Sequence, residues 1–254
     1  MAFDLGKYKD SIPELKKLPV ILLLDVSGSM SGEKIKALHT ATLDMIDSFV
    51  QQELKETEII VSIITFGRSI SLHVGDEKKP YVPIKQVQKD GISEFTASGG
   101  TPIGVTLKLT KDLIEKKETT PPRSYRPIVV LVSDGQPTDD WREPMEAFIN
   151  TGRTASCQRY SVAIGSDADE NVLKMFAHDE DAFVLAADAG SLSDRFKKIS
   201  TQAIDNERKS RIAPNKNDAA KEKSSKEADK KESEKSQGGL SNGNPWGTDF
   251  DDLD

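Results

Sequence analysis

The chain has 254 residues, with 42 acidic against 35 basic side chains, a formal net charge of −7, 36% hydrophobic residues and one cysteine. That balance excludes a general nucleic-acid binder, which carries a basic face, and the lone Cys157 excludes an internal disulfide framework or a cysteine-cluster metal site. The longest apolar run, residues 20–24, is far short of the about 20 needed to cross a bilayer, and without a signal-like leader the expected location is cytoplasmic, with no membrane partner.

Residues 1–212 read as one domain of alternating strands and helices. Pro19 to Asp25 is a continuous apolar run ending in an acid, as in a strand buried on both faces. A helix follows over Gly32 to Leu54, with Ile35, Leu38, Met45, Ile46 and Phe49 at helical spacing. Glu58 to Phe66 is the next strand, Ser69 to Val74 an edge strand after a Gly67-Arg68 turn, and Val82 to Val87 a further strand. Pro102 to Lys117 is helical, with proline in the first turn. Pro127 to Ser133 is a second central strand, and a helix spans Pro144 to Ser156. Then come a strand over Arg159 to Ile164, a short helix over Glu170 to Phe176, a strand over Phe183 to Leu185 and a final helix from Leu192 to Arg208. This alternation implies an α/β fold, a doubly wound and mostly parallel sheet with helices on both faces.

The composition then changes. Pro214 to Gln237 holds seven lysines and six acids with no aromatic or β-branched residue. Such a stretch buries too little apolar surface to offset chain entropy, so residues 213–237 read as a disordered charged tether. Residues 238–254 end in four acids with Trp246, Phe250 and Leu253 among them. They read either as an acidic end or as a docking motif that orders on a partner.

In doubly wound sheets, ligands bind beyond the carboxyl ends of the strands. Three loops there are rich in small oxygen-bearing residues: Asp25-Val26-Ser27-Gly28-Ser29, Ser98-Gly99-Gly100-Thr101-Pro102, and Ser133-Asp134-Gly135-Gln136-Pro137-Thr138-Asp139. Carboxylates and hydroxyls are hard donors, and no nearby histidine or cysteine supplies nitrogen or sulfur. The set suits Mg²⁺ or Mn²⁺ rather than zinc. Asp139 and Trp141, just past the third loop, read either as rim residues that choose a partner or as a surface turn with a helix cap. Asp167 and Asp169, after a strand, read either as a second cation site or, the favoured reading, as helix capping. His39, His73 and His178 form no cluster, and Cys157 reads as a small buried residue.

Asp-x-Ser-x-Ser, a threonine after paired glycines and a strand-end Ser-Asp-Gly together resemble the von Willebrand factor type A (VWA) domain and its metal-ion-dependent adhesion site, over residues 15–207. The pieces LLLDVSGSM, ASGGTPIG and VSDGQPTDDW look most like bacterial TerY-like proteins of the tellurium-resistance and stress-response group. The resemblance implies a Rossmann-like fold in which Ser27, Ser29 and Thr101 contact a metal ion. Asp25 and Asp134 would hold it, often through water, and the sixth position would take an acidic side chain from a partner.

The expected function is thus a metal-dependent protein-binding module and not an enzyme. Likeness to TerY-like adaptors implies a place in phospho-signalling or stress defence, beside a protein kinase or a metal-dependent phosphatase. A second reading is a scaffold whose Trp246–Leu253 motif docks another partner or whose tail acids block the metal site. A third, a Mg²⁺-dependent phosphohydrolase, lacks the second acid two positions after Asp25, where Ser27 stands.

Overall fold

The computed structural model describes residues 15–52, 57–186 and 191–212. The tether at 213–237 and the motif with Trp246, Phe250 and Leu253 lie outside the described residues. The chain divides into two units, residues 1–206 and 207–254, and the sheet with its loops belongs to the first.

Strand β1 (Lys16–Asp25) leads through a single 3-10 turn at Gly28–Met30 into α1 (Glu33–Gln51). Then come β2 (Thr57–Phe66), β3 (Ile70–Val74), β4 (Val82–Pro83), α2 (Ile84–Asp90), α3 (Ile103–Glu115), β5 (Ile128–Ser133) and α4 (Arg142–Asn150). The chain continues with β6 (Gln158–Ile164), α5 (Glu170–Phe176), β7 (Phe183–Ala186) and α6 (Leu192–Ile212). Strand order is β3-β2-β1-β5-β6-β7, with β4 also on β2. β2, β1, β5, β6 and β7 run parallel, while β3 and β4 are antiparallel to β2. The expected doubly wound fold is therefore the observed one.

β1 and β5 lie centrally, and every residue of β1 from Leu18 to Asp25 is buried. Alternate residues feed opposite layers, as the pleat requires. Leu18, Val20, Leu22 and Leu24 pack with Leu38, Met45 and Phe49 of α1 and Phe196 and Ile199 of α6. Ile21 and Leu23 pack with Ile103 and Leu107 of α3, Met145 and Phe148 of α4, and Val172 and Phe176 of α5. Two cores thus clamp β1 and β5 and fix where their carboxyl ends emerge.

Two expected elements are different. Val82 to Val87 is not a strand: pairing with β2 ends after Val82 and Pro83, and Ile84 begins α2. Ile84 and Val87 are both buried, three residues apart, which is helical spacing. Gly91 ends the helix with φ +72°, a positive value that favours glycine, and its N–H donates to Val87 O. The helix expected to reach Ser156 stops at Asn150, and Thr154–Ser156 is a separate 3-10 turn. Among the described residues no helix is long and apolar enough to cross a membrane.

Cys157 is buried just before β6, and burial pushes its thiol up to about 12. A thiol held protonated is a poor nucleophile. Iodoacetamide at pH 8 is therefore expected to leave the folded protein unlabelled over hours and to label it fully in denaturant, as mass spectrometry would show.

Candidate functional site

The three loops meet at the carboxyl ends of β1 and β5. The peptide groups of Val26 and Ser98 fasten the first loop to its neighbours: Val26 N donates to Phe66 O at 2.8 Å, and Ser98 N to Val26 O at 2.7 Å. Gly28 N donates to Gly99 O at 2.9 Å, and Arg68 N to Ser98 O at 2.8 Å. The third loop is tied to the second twice, by Thr138 N to Thr101 O at 3.0 Å and by Thr101 N to Thr138 Oγ1 at 2.9 Å. The loops hold one another before any ligand arrives.

The oxygen-bearing side chains then form a connected chain. Asp25 is fully buried; its Oδ1 accepts Ser27 N at 2.8 Å and its Oδ2 accepts the Ser133 hydroxyl at 2.6 Å. The hydroxyls of Ser27 and Ser29 lie 2.9 Å apart, and Ser29 donates to Asp134 Oδ1 at 2.6 Å. Asp134 is also fully buried, and its Oδ2 accepts Lys34 Nζ at 2.5 Å. Gly135 places Thr101 in the same group: a methyl at its α-carbon would stand 3.2 Å from Thr101 Oγ1 and 3.6 Å from Ser29 Oγ. All five sequence-selected residues, Asp25, Ser27, Ser29, Thr101 and Asp134, are thus gathered around one cradle. Ser29 is exposed at its mouth.

This donor set fits a hard dication. It consists of oxygen alone, three hydroxyls and two carboxylates, and small glycines flank it. Among the described residues no three His, Cys, Asp or Glu side chains converge as a metal cluster. Any ion here would therefore depend on hydroxyls and water as much as on carboxylates, the pattern suited to Mg²⁺ or Mn²⁺. An ammonium already rests on Asp134, which marks the place as attractive to cations.

Burial, more than any neighbour, raises the Asp25 carboxyl from its usual range to about 6; Ser133 and Ser27 oppose this by hydrogen bonding. A group that holds its proton more tightly when folded contributes stability that is complete below its unfolded pKa, near 3.8, and lost as pH rises through about 6. The metal-free protein is accordingly expected to lose melting temperature between pH 4 and pH 7 from this group. Mg²⁺ is expected to restore more stability at pH 7 than at pH 5, where it competes with the proton. A calorimetric melting series with and without EDTA checks both.

Beyond the cradle, Asp139 faces inward. Its Oδ1 accepts Gly104 N at 3.0 Å and its Oδ2 accepts Val105 N at 2.8 Å, so it caps the start of α3 from another loop. Removing such a cap costs about 1 kcal/mol; Asp139→Ala is expected to lose about that much in urea unfolding. Trp141 is half-buried against the core of α3 and α4, with the Arg142 guanidinium 4.9 Å from its ring centre. Asp169 caps α5 by accepting Asn171 N and Val172 N. His39 and His73 both meet Phe95 edge-on, and His178 Nδ1 lies 2.6 Å from Arg159 O.

Sequence reasoning missed Lys34 and the packing roles of Gly67 and Gly99. A methyl at Gly67 would stand 2.6 Å from Ser98 O and 2.8 Å from Val26 O, and one at Gly99 would stand 2.4 Å from both N and Cα of Arg68. The paired glycines were visible, but what they press against was not.

Comparison with known proteins agrees with this fold. Inter-alpha-trypsin inhibitor heavy chain H1 of Mesocricetus auratus is 23% identical over 163 residues, which is 62% of this chain and 17% of that protein. Heavy chain H4 of Bos taurus is 25% identical over 162 residues, 63% of this chain and 17% of that one. The chain thus spans under a fifth of these relatives, and the narrower resemblance to TerY-like proteins gains no support from them. Among solved structures, a von Willebrand factor type A protein from Catenulispora acidiphila superposes with a TM-score of 0.59 at 17% identity, covering 74% of this chain and 43% of that one. Proximal thread matrix protein 1 from the mussel byssus, described with a zinc-occupied MIDAS motif, superposes at 0.58 and 17% identity, covering 75% of this chain and 46% of that one. At such identities these two speak for the fold alone. The von Willebrand factor type A domain model itself matches residues 20–198, well over half of the chain; the chain belongs to that family.

Proposed function

We propose that this chain is a dication-dependent protein-binding module that captures an acidic side chain of a partner. The observation that carries the reading is the cradle itself. Five oxygen-bearing side chains from three separate loops meet at a mouth where Ser29 is exposed. A dication held there would supply an electrophile for an incoming carboxylate. Asp25 and Asp134 would provide the negative charge, and Ser27, Ser29 and Thr101 the neutral donors. Neutral hydroxyls quench the charge weakly, so an outside acid still gains from approach, and more so where water is excluded. Metal and partner would then strengthen each other's binding.

Mg²⁺ or Mn²⁺ is the ion we assign, from the hardness of the donors. The zinc in the mussel protein makes Zn²⁺ a necessary arm of the test. We read the module as non-catalytic: Ser27 stands where a phosphohydrolase of the considered type places its second acid. An adaptor role in bacterial signalling or stress defence, beside a kinase or a metal-dependent phosphatase, is the setting we favour. We place it in the cytoplasm, in keeping with a single buried cysteine.

The test is capture of partners on immobilised protein in Mg²⁺, Zn²⁺ or EDTA, using the full chain, Asp25→Ala and a chain ending at residue 212. Partners held in Mg²⁺, released by EDTA and absent from Asp25→Ala support the reading. Partners indifferent to all three treatments overturn it. Partners lost only on truncation assign a docking role to residues 213–254, and stronger Mg²⁺-dependent capture on truncation assigns them a blocking one.

A further inference from the structure

Lys34 sits in the first turn of α1, where the helix dipole disfavours a cation. Its placement there calls for a specific anion, and Asp134 provides it. Lys34 Nζ lies 2.5 Å from Asp134 Oδ2; the Asp134 side chain is fully buried and that of Lys34 is 30% exposed. The turn after β6 makes room: Gly165, at φ +75°, lies so that even a methyl on it would stand 4.0 Å from Lys34 Cε and Nζ. Ser29 occupies the other oxygen of Asp134. A fully buried carboxylate is therefore satisfied and neutralised by the chain's own side chains.

We propose that Lys34 is a tethered counter-cation that competes with the dication for Asp134 and so sets the metal affinity of the site. The proposal rests on the reading of the cradle as a dication site. An ammonium and a dication on one carboxylate stand within a few ångströms of each other and repel strongly at protein-interior dielectric. Binding the ion therefore requires Lys34 to swing toward solvent, and its partial exposure gives it a way out. The arrangement makes the metal-free fold self-sufficient and makes occupancy responsive to ion concentration.

The experiment is calorimetric titration of the full chain with MnCl₂, comparing wild type, Lys34→Gln, Lys34→Met and the control Lys36→Gln, whose lysine pairs with exposed Glu33 on the surface of α1. Removing the competing charge is expected to tighten Mn²⁺ binding about tenfold or more in both Lys34 variants and to leave the control unchanged. The metal-free melting temperature of the Lys34 variants should fall, because Asp134 is left without a counter-charge, and saturating Mn²⁺ should close the gap with wild type. Binding by the variants but not by wild type also supports the proposal. Equal or weaker affinity in the variants, with a melting deficit that metal does not close, overturns it and leaves the site reading standing. Absence of saturable binding in every protein overturns both.

Discussion

Asp25→Asn is expected to stabilise the metal-free protein at neutral pH while abolishing its response to Mg²⁺. The two effects have one cause. Asp25 is wholly buried, and burial raises its carboxyl to about 6 against an ordinary 3.8, so ionising it at pH 7 works against folding. An uncharged amide of the same shape removes that cost, which by linkage amounts to about 2–3 kcal/mol. The Ser133 hydroxyl and Ser27 N–H that now meet the carboxylate can adjust to an amide oxygen and nitrogen. The gain should vanish near pH 4, where the wild-type group carries its proton. What the variant loses is one of the two charges that would hold a cation. Melting curves of both proteins at pH 4.5 and 7.5, each with EDTA and with Mg²⁺, separate the two effects. A variant less stable than wild type at pH 7.5 in EDTA would contradict the electrostatic account of Asp25.

Gly99→Ala is the second large effect, and it acts without touching an oxygen donor. Gly99 has φ +81°, a conformation that costs other residues about 1 kcal/mol or more. Its methyl would also collide with the backbone of Arg68 at 2.4 Å, and backbone does not rotate aside as a side chain does. The loop from Ser98 to Pro102 must shift, breaking the bonds of Gly28 N to Gly99 O and Arg68 N to Ser98 O. Thr101 moves with it. The expected outcome is a loss of about 2–4 kcal/mol on unfolding in urea together with loss of Mg²⁺-dependent stabilisation. Gly32→Ala makes a useful comparison, since Gly32 also has a positive φ but nothing lies within 4 Å of its added methyl; it should show the strain alone and keep the metal response.

The features legible in the sequence were those written in local pattern. The apolar run of β1 forces a central strand, and Asp25, Ser27 and Ser29 leave its end at a spacing that allows one ligand to be surrounded. Proline at 102 and the Ser133-Asp134-Gly135 end of β5 mark the other two loops. Legibility failed where a choice depends on the far side of a contact. Val82 to Val87 has the composition of a strand, but only two residues pair with β2 before helical burial of Ile84 and Val87 prevails. Lys34 carries no mark of its role in the sequence, because its partner lies 100 residues away. Asp139 reads either as a rim acid or as a local helix cap, and its carboxylate in fact caps the start of α3, more than 30 residues away. Neither case has a sequence signature short of the folded coordinates. The same limit applies to the bacterial subgroup suggested by three short strings: the family model supports the domain, and the heavy-chain relatives do not carry the finer assignment.

The most direct test of the account is a stoichiometric titration of Mg²⁺ and Mn²⁺ into wild type, Asp25→Asn and Thr101→Val, whose altered residues come from different loops. One saturable ion per wild-type chain, weakened at least about tenfold by either substitution, is the predicted result. An ion bound equally well by all three proteins, or no saturable ion in wild type, would contradict the claim that these separated oxygens act as a single site.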